Sequence, residues 1–568
     1  MHQANVALTF IVFFLLICGI SHAQTTYYVS VTGNNNTGIG TSLNPWATIT
    51  HALDNASDGS TIIVTPGTYN GRVRMRGTFP QGVLVKSEVP YMAKLRNDDR
   101  VMTFYTHPNG CNGITIEGFD IAHDGPGADP LVVHIDGNGI GAVHDVTIRN
   151  CILHDSYDND ILKINNSCYN ITIQGNLFFN QTGSDEHIDG NSMRNLVIED
   201  NIFMNDFAAS GRVNQNNTSS YIVIKDSGTS DMYTGAQDIT IRRNVFLNYE
   251  GSTGHNFVLL GEDGMPYYEA FDVLIENNLM LGNSGNTMRA PLGIKGCKHA
   301  TFRNNTVHGN FPSLAFAFRF NTEGSNLPND SIFLYNNIWS DPTGTMNDFS
   351  DSPFGETDHF VMSNNVYWNG GLTIPSDISN DMINVDDDVN AIMGNPFLAN
   401  HGGLVTPHFN STTSQFADGS STIREAFETL VLAYALMGFQ SVALNTADQT
   451  NAPHDDILGN LRGGQTDVGC YEHETATSLA APFQNFGVVL SPNPAKENVQ
   501  LNINSDWMGV ISISLYTTQG KLMRQSQGDK TSPKSIFQIS LNGLSPGVYS
   551  VLLSSGAQRL WSGQLIKK

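Results

Sequence analysis

Seven ionisable residues fall in one short stretch, DNDILKINNSCYNITIQGNLFFNQTGSDEHIDGN over residues 158–191: Asp158, Asp160, Lys163, Asp185, Glu186, His187 and Asp189. Carboxylates that converge within a few ångströms repel one another unless a cation lies between them. A set made only of carboxylate oxygens suits Ca2+, which takes six to eight oxygen ligands. A lysine or histidine beside such a cation could, in its neutral form, abstract a proton. Lysine at its ordinary pKa of ~10.4 needs that cation to depress it. The plainer alternative is a solvated face on which Lys163 pairs with the acids around it. His187 stands among Asp185, Asp189 and Lys163 in sequence, and His134, His187 and Asp189 are metal-ligand types, but their spacing fixes no zinc site.

Whether these residues meet depends on the elements that carry them. The chain repeats a pattern of alternating apolar residues closed by asparagine: TIQGNLF, VIEDNIF, TIRRNVF, LIENNLM, TFRNNTV and VMSNNVY among others. Cys151, Asn176, Asn201, Asn244, Asn278, Asn305, Asn337 and Asn365 occupy the aligned position, at spacings of 25, 25, 43, 34, 27, 32 and 28 residues. Period-two alternation marks strands. A repeat of this length holds two or three short strands and little else, so the expected fold is all-β: a right-handed parallel β-helix, its coils stacked at ~4.8 Å. Stacked asparagines would bond coil to coil and would tolerate a left-handed turn.

A second strand in each coil reads VVHIDG, ILKINN, DEHIDG, YIVIKD, NFVLLGED, APLGIKG and FAFRFN. With Ile135, Ile164, Ile188 and Ile224 inward, alternation puts His134, Asp136, Lys163, His187, Asp189 and Lys225 outward on adjacent coils. Lys163 is then expected between the coils of Asp136 and Asp189.

The 568-residue chain has net charge −24, yet only 14% of it is charged and glycine numbers 54. This composition fits turn-rich β-structure. The acid excess argues against nucleic acid as a partner. Residues 483–568 hold eight Lys/Arg against three Asp/Glu, which leaves the rest of the chain at −29. Val6–Ile20 is a short apolar run ending at Ser21-His22-Ala23, so residues 1–23 read as a signal peptide, too short to span a membrane. No other stretch could cross a bilayer. The five cysteines after it (Cys111, Cys151, Cys168, Cys297 and Cys470) form no disulfide framework and are expected to be buried thiols.

Three resemblances add to this reading. YYVSVTGNNNTGIGTSLNPWATITHALDNASDGSTIIVTPGTY (27–69) resembles the N-terminal cap of β-helix proteins of the pectate-lyase type, with a short helix near Ile49. That domain is expected over 24–475, with a helical segment at 421–438 and a linker over 476–487. LSPNPAKENVQL, ISLYTTQGKLMRQ, LNGLSPGVYSVLL and the final LIKK resemble the type IX secretion sorting domain of Bacteroidota, a small β-sandwich, here 488–568. This implies export through the periplasm of a Gram-negative bacterium, the type IX machinery as partner, a secreted or cell-surface destination, and cleavage of the sorting domain. The cationic, carboxylate-rich face resembles Ca2+-dependent β-helix polysaccharide lyases that use a lysine base. The resemblance implies β-elimination on an anionic, uronate-containing polysaccharide by a monomer. Lys163 would be the base, Asp158, Asp160, Asp185 and Asp189 the Ca2+ ligands, and Arg212 or Lys225 the cation on the substrate carboxylate or leaving group, with His187 alongside. A glycoside hydrolase using two of the same acids, or a non-catalytic adhesin, remains open. MRAPLGIK (288–295) departs from the Arg-x-Pro-x-x-Arg signature of pectate lyases, and the Asp-Asp and Gly-His-Gly signatures of polygalacturonases are missing.

Overall fold

The computed structural model describes residues 25–568 apart from 106–109, 184, 214–217, 249, 251–255, 283–287, 310–316, 377–380, 474–486, 506–507, 518–520 and 556–557. The expected signal peptide and most of the linker lie outside the described residues. Two compact units result, one ending at Glu472 and the other beginning at His473.

The first unit is a parallel β-helix. Its coils contribute to three parallel sheets of twelve, ten and twelve strands. Each coil runs through a cleft strand such as Val133–Asp136, a ladder strand such as Val143–Arg149 and a short third strand such as Ile152–His154. Alternation along the ladder strands sends Ile148, Ile173, Ile198, Ile241, Ile275, Phe302 and Leu334 inward in register. The third strands are apolar on both faces. Phe178, Phe203 and Phe246 stack inward with centroids 5.0 and 4.9 Å apart. Leu177, Ile202, Val245 and Leu279 point outward, yet they are buried. Helix α2 (Ile423–Tyr434) and the segment after it form a strap over them through Phe427, Leu430, Ile457 and Cys470. Helix α1 (Ile49–Asn55) packs beside the first strands, its N-terminus capped by Thr48. The five cysteines are free and buried.

Along these repeats the corner between the ladder strand and the third strand is two residues long, and its second residue is fully buried. Its backbone groups therefore need protein partners. At Asn176, the backbone N–H and the side-chain amide both donate to Asn201 Oδ1, at 2.8 and 3.1 Å, and the amide also donates to Ile148 O at 2.9 Å. The same contacts recur at Asn201, Asn244, Asn278, Asn305 and Asn337. The ladder ends where Asn365 donates to Asp388. The left-handed conformation expected of these asparagines belongs instead to the residue before each: Asn150, Gly175, Asp200, Arg243, Asn277, Asn304, Asn336 and Asn364. Four of these preceding asparagines have a second task. Asn277, Asn304, Asn336 and Asn364 donate to the backbone carbonyls of Asp455, Asp467, Asp448 and Thr446 in the strap, at 2.8, 3.2, 2.9 and 3.2 Å.

The second unit has seven antiparallel strands between Gly487 and Lys567, in sheets of three and four around a core that includes Val499, Leu501, Ile513, Val551 and Leu565. It matches the small C-terminal β-fold expected.

Replacing Asn201 with Ala would leave the Asn176 N–H and Ile173 C=O buried and unpaired. The β-helix should lose about 2–5 kcal/mol, read as a lower urea midpoint of its unfolding transition. An unchanged midpoint would show that the ladder amide is dispensable.

Candidate functional site

The ten-stranded sheet aligns one outward column through Arg74, Thr103, His134, Lys163 and Asp189, each in register with the next. Lys163 therefore sits where alternation placed it, between a histidine on one coil and an aspartate on the other. Its Nζ pairs with Asp189 and lies 3.9 Å from Asp160 Oδ2. Lys225, two residues farther along its strand, is 3.9 Å from Asp189 Oδ2 and pairs with Glu262 at 2.6 Å. Asp160, Lys163, Asp185, Glu186, Asp189, Lys225 and Glu262 line a cavity of about 430 Å3 with Asn159 and Ser219.

Within it, Asp160, Glu186 and Asp189 are buried and present oxygens within 4.8 Å of one another. The Glu186 N–H donates to Asp160 Oδ1 at 3.0 Å. Burial first, then Asp160 and Asp189, hold the Glu186 carboxyl well above the usual carboxylate range. Burial raises Asp189 too, against the pull of Lys163 and Lys225. Asp185, at the rim, is pushed up to about 6 by burial and by Asp160, Asp158 and Asp189. Burial would favour the neutral amine of Lys225, but Asp189, Glu262 and Asp263 outweigh it and raise its pKa. Asp189 Oδ1 is buried and has no hydrogen-bond partner among the described residues. A donor set of carboxylate oxygens with one unpartnered fits a hard divalent cation, and equally fits a proton shared among acids.

The strand DEHIDG does not start where alternation alone suggested. Leu162 pairs with Ile188, so ILKINN aligns with HIDGNS, two residues later. Asp160 and Glu186 each stand two residues before that pair and occupy the same column. Glu186, more than Asp185, is thus the coil neighbour of Asp160. His187 shares its place with Val132, Ile161 and Tyr221, which all face the core. Its outward assignment is corrected: it is fully buried and stacks on Tyr221 at 4.5 Å, with Nε2 3.1 Å from Asn205 Oδ1. Burial pushes its pKa down to about 3, so it is a neutral core histidine. Asp158 is exposed and outside the cavity lining. Glu262, not singled out from sequence, belongs to the site. Its turn is held by the buried Glu269, which accepts from the N–H groups of Glu262, Asp263 and Met265 at 2.9, 3.0 and 3.1 Å.

Solved structures that share the architecture include pectate lyase Pel9A, at 13% identity over 80% of this chain and 98% of that one, TM-score 0.38. A polygalacturonase from Erwinia carotovora ssp. carotovora matches at 15% identity over 65% and 97%, TM-score 0.41. PfbA, a surface adhesin of Streptococcus pneumoniae, matches at 15% identity over 56% and 80%, TM-score 0.37. At this distance the likeness is one of fold alone. No curated protein matches the chain. Residues 490–568 match the family described as the secretion system C-terminal sorting domain. The chain ends in a sorting domain. It is a secreted or cell-surface protein of Bacteroidota. Among the described residues, no helix is long and apolar enough to cross a membrane.

Arg212 does not line the cavity. Its guanidinium pairs with Asp155 at 2.9 Å and lies over the rings of Tyr157 and Phe207, 4.3 and 5.1 Å from their centroids. It closes a second network on the sheet of third strands. There His154 meets Asp155 Oδ2 through Nδ1 at 2.7 Å and Asp120 Oδ1 through Nε2 at 2.8 Å, and Arg96 pairs with Asp120 at 2.5 Å. Two carboxylates facing two ring nitrogens require an imidazolium that donates twice. Burial opposes that charge, but Asp120 and Asp155 overcome it and raise the pKa of His154.

A pKa raised in the folded state stabilises fully below the unfolded value near 6.5, and the benefit is lost as pH rises through the folded value. His154→Gln should therefore lower the melting temperature more at pH 5.5 than at pH 9. An equal loss at both would mean that the ring is uncharged. Arg96, Asp120, Asp155 and Arg212 are the charged groups around the ring, and His408 lies beside them.

Proposed function

We propose that the chain is a secreted carbohydrate-active protein whose cleft cleaves an anionic, uronate-containing polysaccharide by β-elimination, with a divalent cation, Ca2+ the candidate, held by its acids. The observation that supports this most is the buried Asp160–Glu186–Asp189 triad flanked by two ammonium groups in one cavity of an exported chain. Asp160, Glu186 and Asp189 would hold the cation, with Asp185 at the rim. Bound there, it would neutralise the uronate carboxylate and acidify the adjacent C5 proton.

The chain's own residues then have defined tasks. Lys163 takes the C5 proton. The C–H electron pair becomes the new double bond as the C4–O bond breaks, and the departing oxygen collects a proton from water. Lys163 can act only as a free amine. Lys225, fixed by Glu262, contributes positive charge toward the substrate carboxylate.

A second reading, glycoside hydrolysis, draws on Glu186. Held protonated by burial beside Asp160 and Asp189, it could act as general acid with a neighbour as nucleophile or base. The oxygens, within 4.8 Å of one another, lie closer to the roughly 5–5.5 Å of retaining enzymes than to the ~6.5–9.5 Å of inverting ones.

The test incubates the purified protein with polygalacturonate, alginate and chondroitin, with Ca2+ or with EDTA. Ultraviolet absorbance from an unsaturated product, lost in EDTA, is the expected result. New reducing ends without that absorbance would move the assignment to hydrolysis, and neither would leave a binding protein. Lys163→Ala should cut turnover on the order of 10²-fold or more while glycan binding largely survives. Lys225→Ala should weaken binding more than it slows chemistry. Ca2+ should also raise the melting temperature of EDTA-treated protein by binding the native state, and Asp189→Asn should abolish that rise.

A further inference from the structure

Two coils before Lys163 the same sheet changes sign. Arg74 continues the Lys163 column outward through Thr103 and His134. Arg100 stands two residues before Met102, which is in register with Val133, Leu162 and Ile188. Asp160 and Glu186 each stand two residues before Leu162 and Ile188. The corner column that carries the acids in the cleft therefore carries a guanidinium here. Arg72 joins them from the turn before Arg74.

This cluster is poorly neutralised. Arg72 pairs with Asp99, and the Arg100 backbone N–H also donates to Asp99, at 2.6 Å. Arg74 is exposed, and neither it nor Arg100 forms an ion pair among the described residues. Arg100 and Arg74 repel Arg72 strongly enough to add to the lowering of its pKa by burial. Two donors here are also orphaned. Arg100 Nε and the hydroxyl of Thr103, a residue 5% exposed, are buried without a hydrogen-bond partner among the described residues. Two guanidiniums without an ion pair among the described residues and two unsatisfied donors are costly unless an anion completes them.

We infer that Arg72, Arg74, Arg100 and Thr103 form a subsite for an acidic group, carboxylate or sulfate, on a sugar of the polysaccharide that occupies the cleft. This rests on the reading of the cleft as an acidic-glycan site. Strands ~4.8 Å apart put Thr103 roughly 10 Å from Lys163, so the subsite grips a sugar beyond the one at the cavity. The polymer would lie across the strands, along the coil axis. Its charge would be met by arginines at one end and by the acid-held cation at the other. Arginine's planar fork suits both carboxylate and sulfate.

The test measures binding of size-graded oligosaccharides from alginate, polygalacturonate and chondroitin sulfate, with neutral xylan as control, by calorimetry at two salt concentrations. Arg74→Gln/Arg100→Gln should bind long acidic oligomers roughly 10- to 100-fold more weakly than wild type. It should depend less on salt and treat the shortest fragments as wild type does. Turnover at saturating substrate should be kept, with KM raised. Arg74→Lys/Arg100→Lys should recover part of the affinity, and an unchanged melting temperature shows that the fold is intact. A preference for sulfated over uronate-only oligomers would assign the sulfate, and the reverse the carboxylate. If wild type binds acidic oligomers and the glutamine variant binds them equally, the subsite is refuted while the cleft reading stands. If wild type binds none of them, the cleft reading and the subsite fall together.

Discussion

The second residue of each two-residue ladder corner is buried away from water, and its backbone groups must still be satisfied. From Asn176 to Asn365 the chain answers with one asparagine per coil, whose amide serves the coil before it and the coil after it. Everything downstream follows from that bond. It fixes the height of each coil on its neighbour, and so the register of the strands. Register in turn decides which side chains form columns. The alignment of His134, Lys163 and Asp189, with Lys225 on the next coil, is thus a remote product of Asn176, Asn201 and Asn244 on the opposite corner. Loss of a ladder amide would misplace the cleft without touching it.

The two solvent-facing columns obey different rules. On the ladder sheet, opposite charges meet: Arg149 with Glu117, Arg242 with Glu199 and Arg303 with Glu276, at 2.6–2.8 Å. Such a face is locally consistent and asks for nothing more. The cleft sheet instead sets acid beside acid at Asp160, Glu186 and Asp189, and base beside base at Arg72, Arg74 and Arg100. Sequences that specify a fold well avoid such conflicts, and the exceptions gather where function outweighs stability.

Much of this was legible in the sequence, because both period and composition carry it. Alternating apolar residues closed by asparagine gave the solenoid and the ladder, and the composition shift near residue 483 marked the sorting domain. The outward placement of Lys163, Asp189 and Lys225 followed from parity. Parity could not give the strand's starting point. A slip of two residues preserves in and out, so DEHIDG still placed Asp189 on the correct face, but His187 precedes the strand Ile188–Asn191 and lies where alternation does not hold. Matching His187 with Val132, Ile161 and Tyr221, all apolar or aromatic, would have shown that this position faces inward. Arg212 was unreadable in the same sense. It follows a turn with no period, and only the tertiary fold shows that it is spent on Asp155. The doublets Asn277-Asn278, Asn304-Asn305, Asn336-Asn337 and Asn364-Asn365 were visible, but their division of labour was not. The first member takes the left-handed turn and holds the strap, and the second builds the ladder.

That strap alters how the solenoid behaves under load. A bare stack of coils is a series of nearest-neighbour contacts, and a pull at one end would peel it one coil at a time, each rupture small. Residues 446–467 are tied by hydrogen bonds to four successive corners, and Arg243 is bonded to Asp455 besides. Those coils are therefore clamped in parallel, and a force that would open one must break several links together. For a protein carried to a bacterial surface, where shear and surface proteases act on frayed ends, this amounts to a backstitch along the fabric. The coils cannot unravel singly, and the seam is sewn by the last residues of the unit.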